Sequence, residues 1–501
     1  MTRPAAPTTA ALKLCRLSTT AYTAAMPELT HIIHSALKKT PSGIGGLDEI
    51  TGGGLPAGRP TLVCGGPGSG KTLVGISFLV NGARHFGEPG VLISFEESAE
   101  DLACDVASLG FDLPQLIAQG KLIVDYVHID RSEIEETGEY DLEGLFVRLE
   151  HAVRTIGAKR VVLDTIESLF GGLSNESVLR AELRRLLRWL KERHLTTVIT
   201  GERGQDTLTR QGLEEYVTDA VILLDHRVRE ELSTRRLRIV KYRGSFHGTN
   251  EYPFLIDRHG LSVLPVTSLK LDHEAPTERL SSGVAALDKV LGGEGFYKGS
   301  TVLLSGTAGS GKSSLAASFA DATCRRGGRC ALFLLEESQQ QMIRNMRSIG
   351  IDLARWCERG LLYMLAERPS RFGLEAHLAA MFRTVDELRP ETVVVDSITD
   401  LLTLGGEAEV RSMLVRLIDY LKIRSVTALF TSLSPGAVEL QATEAGVSSL
   451  MDAWILLTLE RAAGGRRRQI SVLKARGMAH SSSVYDFKMT ERGFQVSAPE
   501  G

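Results

Sequence analysis

The sequence has few cysteines, no long apolar run and little net charge, and each shortage excludes a class of protein. Six cysteines lie scattered over 501 residues with no CxxC pair, so we expect free thiols in a reducing cytoplasm rather than a disulfide framework. No apolar stretch approaches the length of a membrane span. A formal net charge of −3 excludes a polycation that coats nucleic acid along its whole length. We therefore expect a cytoplasmic globular protein without membrane contact, and no nucleic-acid partner.

Acidic residues are missing from the first 27 positions, where Ala and Thr are frequent. Such a composition occurs in transit peptides and also in disordered leaders. We interpret residues 1–36 as a disordered leader or as the product of a misassigned start codon, with Met26 as the alternative first residue.

The two halves of the chain repeat each other. TPSGIGGLD at Thr40–Asp48 returns as LSSGVAALD at Leu280–Asp288, an offset of 240 residues, and the offset falls to 232 or 233 further on. A period of this length indicates a duplicated domain rather than a solenoid. We predict domains at 37–265 and 280–498, joined by a linker at 266–279.

Within each copy, short apolar runs without clean alternation are interleaved with helical patterns. Thr61–Cys64, Val91–Phe95, Arg160–Asp164, Thr196–Thr200 and Ala220–Leu224 are runs of this kind. Buried strands that alternate with helices favour a mostly parallel sheet covered on both faces. The predicted fold class is α/β and doubly wound.

Each copy carries one glycine-rich motif between an apolar run and a helical pattern. GGPGSGKT spans Gly65–Thr72 and GTAGSGKS spans Gly306–Ser313, and both match GxxxxGK[ST]. The backbone N–H groups of such a loop surround phosphate oxygens, the Lys reaches the β- and γ-phosphates, and the hydroxyl binds Mg²⁺. We expect two tandem RecA-like P-loop NTPase domains with ATP and Mg²⁺. The expected contacts are Gly65, Gly68, Ser69, Gly70, Lys71, Thr72 and Leu73 in the first copy and Gly306, Ala308, Gly309, Ser310, Gly311, Lys312, Ser313 and Ser314 in the second.

Carboxylates end two of the later apolar runs in each copy. Asp164 and Asp396 follow strands downstream of the P-loops, where a carboxylate can hold a water bound to Mg²⁺; a helix cap is the alternative role. Glu96-Glu97 and Glu336-Glu337 follow the strand after each P-loop helix, at the sheet edge that borders the ligand. We predict that these glutamates are catalytic, with one of each pair acting on the attacking water or hydroxyl.

A second basic motif lies far from each P-loop. Lys241-Tyr-Arg243 and Lys474-Ala-Arg476 are each followed by Gly and, four residues after the Arg, by His. Cations supplied by a neighbouring subunit can stabilise charge on a transferred phosphoryl group, which would require a ring. The alternative is an edge strand protected by basic residues.

The copies differ before the strand that precedes this motif. The second copy has Ser448-Ser449 where the offset of 233 places Glu215-Tyr216 in the first. If this segment approaches ATP, the second copy alone offers hydroxyl acceptors. A serine pair that caps a turn is the other interpretation.

These residues together resemble the KaiC family of circadian clock proteins. The resemblance covers roughly 40–494 and depends on segments beyond the P-loops, namely SFEES at 94–98, LEES at 335–338, EEYVTD at 214–219, KYRGSFH at 241–247, EYPF at 251–254 and KARG at 474–477. It implies a double-ring homohexamer with ATP between subunits, an ATPase ring from the first domain and an autokinase and autophosphatase ring from the second.

The resemblance also assigns roles to single residues. Ser448 and Ser449 would be the phosphoacceptors, Glu336 the general base and a metal contact, and Glu96 the residue that activates water. Further nucleotide contacts would come from Ser108 and Ser348, and from Lys241, Tyr242, Arg243, Ser245, His247, Arg468, Lys474, Ala475, Arg476 and His480 of the neighbouring subunit. A KaiB-like protein is a candidate partner.

Two departures from the family bear on regulation. The chain stops seven residues after Phe494, where the best-known members continue into a tail that receives the activator KaiA, so a KaiA-like activator is not expected. Ser448-Ser449 replaces the usual Ser-Thr pair, which keeps two hydroxyl acceptors and leaves their order of phosphorylation open.

Two other functions compete with the kinase. The shared core and the basic runs 227–243 and 461–468 also suit a RecA-like, DNA-dependent ATPase, which would show steep salt dependence. A nucleotide-gated binding platform without kinase activity is the third candidate.

Overall fold

The computed structural model describes residues 37–127, 142–170, 176–204, 208, 218–229, 232–258, 260–265, 275–371, 373–434, 447–462, 465–491 and 493–497. The predicted leader at 1–36, Glu215-Tyr216 and most of the predicted linker lie outside these residues. Arg279, the last residue of that linker, lies in a strand.

Strands and helices alternate as predicted through the middle of the first copy, and four consecutive strands end it. The strands are β1 Lys39–Thr40, β2 Leu55–Pro56, β3 Pro60–Gly65, β4 Gly90–Ser94, β5 Leu122–Tyr126, β6 Arg160–Asp164, β7 Thr196–Glu202, β8 Ala220–Arg229, β9 Leu232–Tyr242, β10 Glu251–Asp257 and β11 Gly260–Val263. The helices are α1 Leu47–Ile50, α2 Lys71–His85, α3 Ala99–Ala107, α4 Leu113–Ala118, α5 Glu143–Ile156, α6 Ile166–Phe170 and α7 Glu176–Glu192.

The second copy repeats this order. Its strands are β12 Arg279–Leu280, β13 Phe296–Tyr297, β14 Thr301–Gly306, β15 Cys330–Leu334, β16 Leu362–Ala366, β17 Thr392–Asp396, β18 Thr427–Leu433, β19 Ala453–Ala462, β20 Gly465–Ala475, β21 Tyr485–Thr490 and β22 Gly493–Val496. Its α-helices are α8 Ala285–Val290, α9 Lys312–Arg325, α10 Gln339–Arg347, α11 Ala354–Glu358, α12 Leu374–Leu388 and α13 Glu407–Ile423, with 3-10 turns at Pro369–Arg371, Ile398–Thr403 and Ser448–Leu450.

Each copy forms one large mixed sheet with the P-loop strand inside it. The order is β11-β10-β9-β8-β3-β7-β6-β4-β5 in the first copy and β16-β15-β17-β18-β14-β19-β20-β21-β22 in the second. Strands β3 to β8 pair in parallel, whereas β9, β10 and β11 are added antiparallel beside β8. The predicted class, two tandem RecA-like α/β domains with mostly parallel sheets, is confirmed.

The central parallel strands are buried on both faces because helices cover both sides. All residues of β3, β4 and β6 are buried, and so are those of β14, β15 and β17. A sheet of this kind needs apolar residues at consecutive positions, which explains the continuous runs in the sequence. In the described part of the chain, no helix is long and apolar enough to cross a membrane.

The two copies use different side chains where the P-loop helix packs on the sheet. In the first copy Arg160 is fully buried against Gly82, and its guanidinium donates to Glu88 Oε2 at 2.7 Å and to the carbonyl of Phe78 at 2.8 Å. A Cβ at Gly82 would lie 2.5 Å from the Arg160 side chain. In the second copy Thr392 donates to Thr323 Oγ1 at 3.1 Å at the matching positions. A large cation beside a glycine is thus replaced by two buried hydroxyl groups.

Candidate functional site

Both P-loops lie between the end of a central strand and the start of a long helix. Gly70 has a φ of 96° and Gly311 a φ of 105° where α2 and α9 begin, and this left-handed conformation favours glycine. A Cβ added at Gly68 or Gly309 would meet no atom within 4 Å. The loops therefore leave room for phosphate groups at the positive ends of two helices.

Each P-loop lysine folds back over its own loop. Lys71 Nζ donates to the carbonyl of Gly66 at 3.1 Å, and Lys312 Nζ donates to the carbonyls of Gly306 at 2.9 Å and Thr307 at 3.0 Å. Burial lowers the pKa of Lys312, while the carboxylates of Asp396 and Glu336 oppose that shift. A phosphate bound in the loop would give this ammonium an anionic partner in place of neutral carbonyls.

The strand-end aspartates are buried and held by hydroxyl groups. Thr200 donates to Asp164 Oδ1, and Thr431 donates to Asp396 Oδ1. Burial raises the pKa of Asp164, while hydrogen bonds from Thr200 and Thr72 lower it. Asp164 therefore lies beside the hydroxyl that was predicted to bind Mg²⁺.

The donor set suits magnesium rather than a softer metal. Within the described ranges, no group of three or more His, Cys, Asp or Glu side chains could hold a metal ion by itself. Mg²⁺ commonly uses one or two carboxylates, water and the phosphates of its substrate. Thr72 with Asp164, and Ser313 with Asp396, fit that pattern.

The paired glutamates of the first copy have different surroundings. Ser168 Oγ donates to Glu96 Oε1 at 2.7 Å, which fixes the first carboxylate. The pKa of Glu97 is raised, first by burial and then by the negative charges of Asp105 and Asp164. Glu97 thus has a higher affinity for a proton than an ordinary surface glutamate.

The second copy reverses this arrangement. The pKa of Glu336 is raised, first by burial and then by the charges of Asp400 and Asp396. Asn345 Nδ2 donates to Glu337 Oε2 at 3.2 Å. Asp400 occupies the position of Ser168, and Asn345 that of Asp105. Sequence reasoning missed all four neighbours, although a position-by-position comparison of the two copies would have revealed both exchanges.

Residues predicted to reach a neighbour's nucleotide lie at the far end of the long hairpin strands. Tyr242 is buried, its hydroxyl donates to the carbonyl of Gly54 at 2.8 Å, and burial raises the pKa of its hydroxyl. Its side chain therefore belongs to its own core, and Ala475 is likewise buried. Lys241 Nζ donates to the carbonyl of Thr218 at 2.8 Å.

The other residues predicted to contact nucleotide have partners within their own chain. Arg468 Nε donates to the P-loop carbonyl of Gly309 in the same chain at 3.4 Å. Ser348 donates to the carbonyl of Asn345 at 2.7 Å, and Ser108 ends helix α3. The side chains of Ser245, His247 and His480 contact nearby backbone carbonyls.

The predicted acceptors form a short 3-10 turn, Ser448–Leu450, just before β19. Ser449 is exposed and Ser448 is half-buried. Lys474 Nζ donates to the carbonyl of Ser448 at 3.2 Å, and Arg476 Nη2 donates to the carbonyl of Ser449 at 3.0 Å. The acceptor turn is therefore attached to the Lys-Arg motif of the same chain.

Comparison with known proteins gives matches along both copies. The family described as "ATPase: KaiC" matches residues 40–268 and 280–501. The circadian clock protein KaiC2 of Synechocystis sp. is 53% identical over 463 residues, which cover 92% of this chain and 82% of that protein. The circadian clock oscillator proteins KaiC of Synechococcus elongatus and Thermostichus vulcanus are each 36% identical, and each alignment covers 92% of this chain and 89% of the relative.

Proposed function

The chain belongs to the KaiC family of ATPases, and we propose that its second domain transfers the γ-phosphate of ATP to Ser448 and Ser449 of an adjacent subunit. The first domain hydrolyses ATP. Both activities belong to one homohexamer with ATP between subunits, used as a timing or signalling protein.

The observation that supports the kinase is the attachment of the acceptor turn to Lys474 and Arg476. Resemblance to the family assigns these two cations to the neighbour's ATP. Their hydrogen bonds to the carbonyls of Ser448 and Ser449, at 3.2 Å and 3.0 Å, support the proposal that the cations and the acceptor turn approach that ATP as one unit. In the first domain the matching positions are Glu215 and Tyr216, which include no serine.

The transfer is an in-line displacement on the γ-phosphorus. The serine Oγ forms the new P–O bond, the bond from γ-phosphorus to the bridging oxygen breaks, and ADP leaves with that oxygen. The hydroxyl proton passes to the carboxylate of Glu336. Its pKa is raised by burial first and then by Asp400, which makes it a better proton acceptor than an ordinary glutamate.

Hydrolysis in the first domain uses the same geometry with water as the nucleophile. Glu96, fixed by Ser168 at 2.7 Å, orients and deprotonates that water. Thr72 and Asp164 in this domain, and Ser313 and Asp396 in the other, would hold Mg²⁺, which would supply positive charge to the phosphate oxygens. Lys71 and Lys312 contact the β- and γ-phosphates.

Phosphopeptide mapping by mass spectrometry, with and without Mg·ATP, tests the proposal. We expect phosphate on Ser448 or Ser449 in the unaltered protein. Lys312→Ala should abolish it, while ATP hydrolysis by the first domain continues. The matched variant Lys71→Ala removes the equivalent lysine of the first domain and should lower hydrolysis.

Two results would contradict this function. Phosphate that persists on Ser448 or Ser449 in purified Lys312→Ala protein would move the kinase away from the second P-loop. ATP hydrolysis without any phosphopeptide would leave an ATPase that acts as a nucleotide-gated platform.

A further inference from the structure

The turn that carries the acceptor serines is held by an excess of positive charge. Lys474 and Arg476 donate to its carbonyls at 3.2 Å and 3.0 Å, and Lys422 Nζ lies 2.8 Å from Asp452 Oδ2 in the same cluster. Asp452 forms ion pairs with two of these three side chains, Lys422 and Arg476. Two cations therefore share one anion, and Lys474 adds a third positive charge at the turn.

Of the two cations paired with Asp452, Arg476 has the longer contact. Its Nη1 is 3.8 Å from Asp452 Oδ1, a long separation for a charged hydrogen bond. Asp452 is already engaged, because it also accepts from the backbone N–H of Thr301 at 2.9 Å and from Lys422. The Arg476 side chain is 56% exposed. It can move toward another anion without leaving Asp452 unpaired.

A phosphate on Ser449 would supply that anion. The serine hydroxyl belongs to the same residue as the carbonyl that Arg476 already contacts, so the group would form within reach of the guanidinium. Arginine presents a planar fork of donors that matches phosphate oxygens. Ser449 is exposed, so there is space for a phosphate group on its hydroxyl.

We propose that Arg476, assisted by Lys474, forms the binding site for the phosphate group on Ser449 of the same subunit. The chemical class of the ligand is a covalently attached phosphomonoester dianion. This site rests on the proposed kinase function for the origin of its phosphate, although its geometry does not depend on how the phosphate arrives.

The first copy has the same scaffold without a serine to modify. Asp219 pairs with Lys191 at 2.5 Å, as Asp452 pairs with Lys422, and Lys241 contacts the carbonyl of Thr218 at 2.8 Å. The residues there that correspond to the acceptors are Glu215 and Tyr216. Receipt of a phosphoserine is therefore a property of the second copy.

The test is a titration of the phosphate itself. Phosphoserine is encoded genetically at position 449 of the full chain, so that the experiment does not require kinase activity. The phosphate pKa is then read from the ³¹P chemical shift of the nucleotide-free protein, with the protein in urea as the reference. An isolated phosphoserine titrates near pH 6, and a nearby cation stabilises the dianion and lowers that pKa.

We expect the folded protein to titrate about one pH unit below the denatured reference. Arg476→Met should abolish at least half of that lowering of the phosphate pKa, and Lys474→Met should abolish less of it. Arg476→Lys should keep most of the lowering. Arg325→Met is the matched control, because Arg325 pairs with Asp321 at 2.7 Å at the end of α9 and is 61% exposed. It removes the same charge from the same domain and should leave the phosphate pKa in place.

A phosphate pKa equal to the denatured reference, or one that Arg476→Met does not change, would overturn the site. The two proposals fail separately. A lowered pKa in a protein that never phosphorylates itself would keep the phosphate site and refute the kinase, whereas self-phosphorylation with an unshifted pKa would do the opposite.

Discussion

Asn345 donates a hydrogen bond to Glu337 in the second domain, with 3.2 Å between Nδ2 and Oε2. The corresponding residue of the first domain, 240 positions earlier, is Asp105. Burial is the larger cause of the raised pKa of Glu97, and the negative charge of Asp105 is the next. An amide in one copy thus replaces a carboxylate in the other. In the second domain the glutamate with the raised pKa is Glu336, so the shift falls on the second member of the pair in one domain and on the first member in the other.

Replacement of Asp105 should change how the first domain responds to pH. Asp105→Asn removes a negative charge beside Glu97, so the pKa of Glu97 falls and its carboxylate persists at lower pH. The acidic limb of the rate of ATP hydrolysis should move to lower pH. It is measured in a Lys312→Ala background, where hydrolysis comes from the first domain.

Asp112→Asn is the control for this change. Asp112 caps α4 through a 2.9 Å bond to the N–H of Gln115, and asparagine caps a helix equally well. An acidic limb that stays in place in Asp105→Asn would show that Glu97 does not govern it.

Replacement of each carboxylate by an amide should distinguish the roles of Glu96 and Glu97 in ATP hydrolysis. Glu96→Gln keeps a group that can accept from Ser168 but cannot take a proton, so steady-state hydrolysis should fall roughly 100-fold. Glu97→Gln should have a smaller effect if Glu97 orients water rather than accepting its proton. If the variant with both Glu96→Gln and Glu97→Gln hydrolyses ATP at an undiminished rate, the general base for hydrolysis is a different residue.

The packing of Arg160 on Gly82 predicts a measurable energetic coupling. Gly82→Thr places a side chain where a Cβ already lies 2.5 Å from Arg160, and overpacking of this kind costs about 1–3 kcal/mol of unfolding free energy. Gly82→Thr with Arg160→Thr imitates the pair Thr323 and Thr392 of the second domain, so it should be more stable than Gly82→Thr alone. Thermal and urea unfolding measure both.

The comparison variant is Gly144→Ala, at a helical position where an added Cβ would meet no atom within 4 Å. It should be neutral or slightly stabilising. If the double variant loses as much stability as the two single changes added together, the two sites are not coupled.

The cysteines should differ in their reaction with iodoacetamide at pH 8. Cys104 is exposed, whereas Cys330 is buried and burial raises the pKa of its thiol to about 12. Because the thiolate is the reactive form, the peptide that contains Cys104 should be modified first. Denaturant should equalise the two, and fast modification of Cys330 in the native protein would contradict its place in the core.

Much of the fold could be predicted because both of its main signals are local. The P-loop motif fixes a strand before it and a helix after it, and five predicted strands of the first copy coincide with β3, β4, β6, β7 and β8 to within a few residues. Buried parallel strands need consecutive apolar residues, which the sequence shows directly.

The neighbours of the catalytic glutamates could not be predicted in this way. Ser168 reaches Glu96 from the helix after β6, and the two residues are 72 positions apart. Which side chain of that short helix faces β4 depends on how the chain leaves the strand, and no motif records it. The burial of Tyr242 was missed for a similar reason, because its partner Gly54 lies 188 positions away.

The different packing of Arg160 and its counterpart Thr392 has a consequence for how the protein folds. A chain that contains two copies of one fold can misfold when the helix of one copy docks on the sheet of the other before both are complete. Helix α9 carries Thr323 where α2 carries Gly82, so α9 docked on the first sheet would meet the Arg160 side chain. Helix α2 on the second sheet would leave Thr392 without the hydroxyl of Thr323. At this position each sheet therefore fits its own helix better than the helix of the other copy, which disfavours that exchange during folding.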